Sequence, residues 1–262
     1  MKNTVSVSVL FSLLFLPHLA AQEVLPTDAG APQPAETQTE EIADWVKELS
    51  NLSPENRTIY TRAFALAKQA YARGLMAECE SHLNTCELFT TSNPNVWNLR
   101  ASVYISQCRF DEAQALLTSV RRSNPQDLVA RLSFSMLYLG KGEYAKCIEE
   151  TDALLEEIRY KDMMQLSHSL IFRKVLCCLM LDREAEARAL VADISPVDDS
   201  PLYYYSQAAF SLAKGDHRAA TRDLYAADVI YASVGYLSGY KQAMNFSGIS
   251  EKADAQQPKA SQ

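Results

Sequence analysis

Apolar residues recur at helical spacing along most of this chain. The first such stretch contains Ile42, Trp45, Val46 and Leu49, three or four residues apart, and it ends before Pro54. Only 8 Gly and 10 Pro interrupt the 262 residues, so little in the sequence opposes helix formation. Hydrophobic residues make up 48% of the chain, which is enough for a continuous core. The pattern predicts an all-α fold, with the short first helix as a cap.

The first 21 residues have the organisation of a secretory signal peptide. Lys2 supplies a positive charge, an apolar run extends from Val5 to Leu16, and Pro17 separates this run from the small pair Ala20 and Ala21. The run is shorter than the roughly 20 residues that a helix needs to cross a bilayer, so a cleaved signal is favoured over a retained anchor. We therefore expect an exported protein, periplasmic or extracellular, with no integral membrane anchor.

Two further segments lack the pattern that a core requires. Residues 22–40 are rich in Pro, Ala, Thr, Gln and Glu and contain almost no large apolar side chain, which predicts a disordered linker. Residues 247–262 have no core-forming pattern and are predicted to be a disordered tail. The folded domain is therefore expected to span residues 41–246.

A repeat organises this domain. A small residue opens what would be the second helix of each unit, at intervals of 34, 34, 40 and 33 residues. These positions are Cys79, Ala113, Cys147, Ala187 and Ala220. A turn position lies five residues before each of them, at Gly74, Cys108, Gly142, Asp182 and Gly215. A period near 34 residues predicts stacked two-helix units.

The best-defined units carry a characteristic set of side chains. An aromatic, a small residue and a tyrosine lie on the first helix, and an aromatic, an alanine, a leucine and a proline follow. In the unit from Pro94 to Asp127 these are Trp97, Ala101, Tyr104, Phe110, Ala113, Leu117 and Pro125. The next unit has Ser135, Tyr138, Gly142, Tyr144 and Cys147. Together with the period, these residues resemble the tetratricopeptide repeat (TPR) family, although Arg100 and Arg131 stand where the family prefers leucine and an aromatic.

The resemblance implies a right-handed superhelical solenoid of about five helix-turn-helix units with helical caps. The units would span about residues 60–93, 94–127, 128–167, 168–200 and 201–234. Small residues at the helix crossings, Ala101 against Ala113 and Ser135 against Cys147, would let antiparallel helices pack closely. No unit buries its apolar face alone, so the five should form one cooperative array.

In this family the first helix of each unit lines a concave groove that accepts an extended peptide or a helix. Carried over by position, the lining comprises Phe64, Lys68, Tyr71, Asn98, Ser102, Leu132, Met136, Phe172, Leu176 and Tyr205. Only Lys68, Asn98 and Arg173 could bind a carboxylate, so an acidic-tail ligand is not expected. A groove that turns apolar from Leu132 to Tyr205 suits a hydrophobic peptide or an amphipathic helix. Alternatively, some of these residues belong to the core between helices.

The six cysteines have two interpretations in an exported protein. In one, they act as small core residues, with Cys79 and Cys147 replacing alanine at helix crossings. In the other, the repeat geometry brings the start of one second helix near the end of the next first helix, which would pair Cys79 with Cys108 and Cys147 with Cys178. The spacing alone does not choose between them.

Residues with catalytic or metal-binding potential are sparse. Beyond the signal, the histidines are His82, His168 and His217, none spaced as zinc ligands, and we interpret them as solvent-facing. No GxSxG, HExxH, Walker or GxGxxG pattern occurs. The formal net charge of −7 argues against a nucleic-acid surface. We therefore expect no catalytic residue, no metal site, no cofactor and no nucleic-acid partner.

Three functional hypotheses remain open. The first is an exported, non-enzymatic scaffold, active in envelope assembly or secretion, that binds a protein or peptide. The second is an enzyme, or an accessory subunit of one, on a helical-repeat fold. The third is a structural protein that self-associates into homo-oligomers.

Overall fold

The computed structural model describes residues 44–158, 163–198, 200–232 and 237–256, and every regular element in these ranges is an α-helix. The first seven helices are α1 Asp44–Ser50, α2 Pro54–Ala72, α3 Met76–Glu87, α4 Pro94–Ser106, α5 Phe110–Ser123, α6 Leu128–Gly140 and α7 Tyr144–Glu157. The remainder are α8 Met164–Met180, α9 Glu184–Ala189, α10 Leu202–Ala213, α11 His217–Ile230, α12 Leu237–Phe246 and α13 Ile249–Gln256. The predicted signal peptide and linker lie outside the described residues.

Helices α2 to α11 form five consecutive hairpins that stack side by side. Each hairpin pairs an inner helix (α2, α4, α6, α8 or α10) with the outer helix that follows it (α3, α5, α7, α9 or α11). Neighbouring inner helices also pack on one another, most closely α4 on α6 and α8 on α10. This arrangement confirms the prediction of an all-α solenoid. The first hairpin begins at Pro54, before the expected start of the first unit near residue 60.

The turn inside each hairpin has a left-handed backbone. Its φ angle lies between 59° and 74° at all five predicted turn positions, Gly74, Cys108, Gly142, Asp182 and Gly215. At Cys108, the amide of the next residue, Arg109, donates to the Tyr104 carbonyl at 2.8 Å, which ends α4 in the manner of a Schellman motif. The repeat geometry thus imposes this conformation even at Cys108 and Asp182, where a side chain makes it less favourable.

Small residues occupy the helix crossings, as the sequence predicts. Ala101, Ala113, Ser135 and Cys147 are all fully buried. The Cys147 thiol donates to the Ser135 carbonyl at 3.1 Å, which places the two helices of the third hairpin in direct contact. Larger side chains at these points would force the helices apart.

The last two helices leave the hairpin pattern. Helix α12 runs back over the inner helices α6 and α8, and α13 packs on α10 and α8. Part of the predicted disordered tail is therefore helical, because Ile249 on α13 is fully buried against the array. Helices α12 and α13 thus cover part of the inner side of the solenoid.

Candidate partner-binding groove

The predicted groove residues lie on the inner helices, but most of them are buried. Eight of the ten have relative exposures of 1% or less: Tyr71, Asn98, Ser102, Leu132, Met136, Phe172, Leu176 and Tyr205. Phe64 and Lys68, on α2, are half-buried. A partner cannot reach the eight buried side chains in this conformation, since they contribute to the core, as the alternative interpretation of the sequence allowed.

Helix α12 covers the centre of the groove. The Tyr240 ring lies with its centroid 5.2 Å from that of Phe172 and 5.1 Å from that of Tyr205, and those two rings meet edge to face at 5.6 Å. Tyr240 itself is 1% exposed. Three aromatic rings from α8, α10 and α12 thus form one buried cluster, an arrangement that adds ring-ring attraction to the burial of apolar area.

The far end of α12 is anchored by two further contacts. Gln242 Nε2 donates to Ser106 Oγ on α4 at 3.3 Å. The Phe246 ring meets the Phe110 ring edge to face, with centroids 5.8 Å apart and planes at 87°. Just beyond the helix, the Tyr144 hydroxyl donates to the Ser247 carbonyl at 2.9 Å. Helix α12 therefore reaches from the fifth hairpin back to the second.

Helix α13 is held at the end of α8. The Lys252 ammonium donates to the Leu179 carbonyl at 2.8 Å and to the Asp182 carboxylate at 2.7 Å. A cation at the C-terminus of a helix is favoured by the helix dipole and by the free carbonyls there. The Asp182 carboxylate is 85% exposed, so this ion pair is screened by solvent and contributes little.

Two of the three groups that could bind a carboxylate, Asn98 and Arg173, are engaged within the protein. Asn98 Nδ2 donates to Asp127 Oδ1 at 3.0 Å. The buried Arg173 guanidinium donates to the Leu132 carbonyl at 3.0 Å and to Ser135 Oγ at 2.7 Å, and burial lowers the pKa of Arg173. Neither of these two side chains is presented to a ligand in this conformation.

The uncovered part of the groove lies on α2. The Lys68 ammonium sits 5.1 Å from the Phe64 ring centroid, and the Phe64 ring stacks on Tyr60 at 6.3 Å. A shallow depression on the same helix is lined by Pro54, Arg57, Thr58, Thr61, Arg62 and Ala65. This surface of α2 combines aromatic and basic side chains.

The six cysteines are free thiols, and neither predicted pair is formed. Cys108 is exposed at its turn, whereas Cys79 is buried and burial raises its pKa to about 12. Cys147 lies beside Cys177 rather than Cys178. Their hydrogen bond lowers the pKa of Cys147 and raises that of Cys177. The buried thiols with raised pKa are poor nucleophiles, which fits a packing role.

One histidine differs from the solvent-facing interpretation. His168, on α8, is 1% exposed, and its Nδ1 lies 2.7 Å from Ser200 Oγ. The Ser200 carbonyl accepts a hydrogen bond from the Tyr231 hydroxyl at 3.0 Å. This polar network fixes the joint between the fourth and fifth hairpins.

Metal-binding clusters and membrane-spanning helices are both absent from the described ranges. No group of three or more His, Cys, Asp or Glu side chains there is placed to hold a metal ion. None of the helices in those ranges combines the length and the apolar character needed to cross a bilayer.

These features define a helical-repeat solenoid whose inner side carries its own C-terminal helix. A similar fold occurs in the crystal structure of a tetratricopeptide repeat protein from Parabacteroides merdae ATCC 43184, with a TM-score of 0.51 and 18% sequence identity. The similarity covers 77% of this chain and 75% of that one, and it concerns the fold. No family model and no curated protein matches the sequence.

Proposed function

We propose that this protein is an exported, non-enzymatic scaffold that binds a helix or peptide of another protein along its inner groove. The observation that carries the proposal is the position of α12: the groove formed by α4, α6, α8 and α10 already holds a helix. Grooves of helical-repeat proteins bind helices through apolar side chains, and Phe172 and Tyr205 supply such side chains against Tyr240 of α12.

Site-specific photo-crosslinking tests groove binding in the full chain. A benzophenone amino acid at Phe64, at the uncovered end of the groove, is a conservative aromatic replacement. The matched control carries it at Leu88, which is 80% exposed and follows the outer helix α3. We expect a protein of the native extract to cross-link from position 64 and not from position 88. Cross-linking from position 88 alone, or from neither, would contradict groove binding.

Export is a separate part of the proposal. The charged residue, short apolar run and small residues at the N-terminus support it. If export occurs, N-terminal sequencing of the protein recovered outside the cytoplasm should begin at Gln22. A product that retains the first 21 residues and stays in the cytoplasm would contradict it.

Self-association is a second candidate, favoured by a different surface. The outer helix of the last hairpin, α11, exposes Tyr225 (70%), Val229 (59%) and Ile230 (53%) on neighbouring positions. An exposed apolar patch at the end of a solenoid can stack on another copy. Light scattering should then show a mass that rises with concentration, and a variant with Lys at 225 and 229 should keep the mass of one chain. A wild-type mass that stays at one chain would exclude this function.

A further inference from the structure

We propose that α12 is a displaceable occupant of the groove, and that the partner is an amphipathic helix with the same side-chain pattern. This inference rests on the proposed function and deepens it. Helix α12 belongs to none of the five hairpins and packs chiefly on the inner helices α6 and α8, with single side-chain contacts to the outer helices at Phe110 and Asp228. It therefore occupies the place that a bound helix would take.

The sequence of α12 is poorly suited to be a helix by itself. It has ten residues, LSGYKQAMNF, and contains glycine, serine and asparagine, which disfavour helix. Isolated helices shorter than about 12 residues are marginal in water. The helical form of α12 thus depends on its contacts with the groove. When α12 leaves the groove, it should also unfold.

The contacts of α12 define the chemistry of the partner. Tyr240 enters the aromatic cluster, Ala243 is 1% exposed against the inner helices, and Phe246 meets Phe110. These three residues follow one another at intervals of three, along one stripe of a helix. Between them, Gln242 donates to Ser106. A matching partner presents an aromatic, a small residue and a second aromatic at this spacing, with an amide group on the adjoining edge.

The docked face of α12 is buried, whereas the ion pairs that hold α12 and α13 lie near the surface. Lys241 pairs with Asp228 at 2.7 Å, and both side chains are more than 40% exposed. Lys252 pairs with the exposed Asp182. Exposed ion pairs are weak and screened by salt, so the aromatic contacts supply most of the docking. Removal of one aromatic ring should therefore free the groove while leaving the hairpins intact.

Peptide binding to the full chain tests the proposal. The probe is a fluorescently labelled synthetic peptide with the sequence of residues 237–256. In wild type the tethered helix competes at an effective concentration in the millimolar range, so the peptide binds weakly. Tyr240→Ala should bind it at least about tenfold more tightly, whereas Asn245→Ala, a change at an exposed position of the same helix, should not. Equal affinities for the two variants would overturn the proposal.

Hydrogen exchange of the unaltered protein provides a test that does not depend on a variant folding. We expect amides of α12 to exchange at least about tenfold faster than those at the centre of α8, because α12 opens without the hairpins unfolding. Exchange of both helices through one global unfolding event would overturn the proposal. A dimer formed by Tyr240→Ala through exchanged C-terminal helices would also overturn it, since the occupant would then be a second copy.

These outcomes are separable from failure of the proposed function. If the peptide binds Tyr240→Ala but no protein cross-links from position 64, then α12 can be displaced from the groove but the scaffold proposal fails. If a protein cross-links from position 64 while α12 exchanges only on global unfolding, the scaffold proposal stands and displacement fails.

Discussion

Replacing Gly140 with alanine should destabilise the protein, although alanine is the better helix former. Gly140 is the last residue of α6, where the ring of Phe110 approaches the backbone. A Cβ atom at this position would lie 2.8 Å from both Cε1 and Cζ of Phe110, and 3.6 Å from Cδ2 of Phe246. The first two distances are below any ordinary carbon-carbon contact, so the Phe110 ring must move.

Two opposing effects determine how Gly140→Ala changes the free energy of unfolding, and the unfavourable one is the larger. Glycine to alanine within a helix gains up to about 1 kcal/mol, and less at a helix end. An extra methyl group in a packed core costs about 1–3 kcal/mol through displaced side chains. Because the flexible end of the ring can give way, we expect a net loss of about 1 kcal/mol, or about 2–4 °C in Tm for a domain of this size.

Urea unfolding of a double-mutant cycle with Phe110→Leu tests this reasoning. Leucine does not extend as far as the phenylalanine ring, so Gly140→Ala should become neutral or stabilising in that background. The interaction energy between the two sites should then be about 1 kcal/mol or more. If Gly140→Ala stabilises the protein equally in both backgrounds, the close approach of Phe110 does not limit this position.

Two further predictions concern buried polar groups. Asp127→Ala should lower the free energy of unfolding, measured with urea, by about 2–3 kcal/mol. The substitution removes the N-cap of α6 and leaves the buried Asn98 amide without its carboxylate partner. The control Asp127→Asn should cost less. His168 is buried against Ser200 and its pKa is lowered by desolvation, so its contribution to stability is present above the unfolded value of about 6.5 and is lost as pH falls below it. His168→Gln should flatten the decline in the free energy of unfolding measured from pH 7 to 5. An equally steep decline in this variant would contradict the assignment.

The repeat could be predicted from sequence because its signals are local. The interval between small residues located every turn, including those at Cys108 and Asp182, which lack the expected glycine. A hairpin of fixed length needs its left-handed residue at a fixed place, so the spacing carries the information even when the residue type does not. The predicted crossing of Ser135 and Cys147 followed from the same register.

The covering of the groove could not be predicted in this way. Helix α12 follows the last hairpin, outside the period, and its packing against α6 and α8 joins helices that are far apart in sequence. The apolar residues of the predicted groove did indicate that another segment covers them. Met136, Phe172 and Leu176 on one open surface would form a large exposed apolar patch, which soluble proteins avoid unless something covers it.

His168 shows a second limit of sequence reasoning. Its isolation from other potential metal ligands in the sequence argued against a zinc site, but it gave no indication that the side chain is buried. The partner of the imidazole, Ser200, lies 32 residues away in an irregular connection before α10. A residue whose environment depends on such a connection has no periodic signal that could identify it.

An occupied groove changes how partner affinity should be interpreted. If α12 is docked in most molecules, a partner helix binds only the fraction in which the groove is free, and the apparent Kd equals the intrinsic Kd divided by that fraction. For an undocked fraction of about 1%, the whole chain binds about 100-fold more weakly than the bare groove. Weak binding by the wild type would then reflect competition within the chain, and the ratio between Tyr240→Ala and Asn245→Ala measures that competition directly.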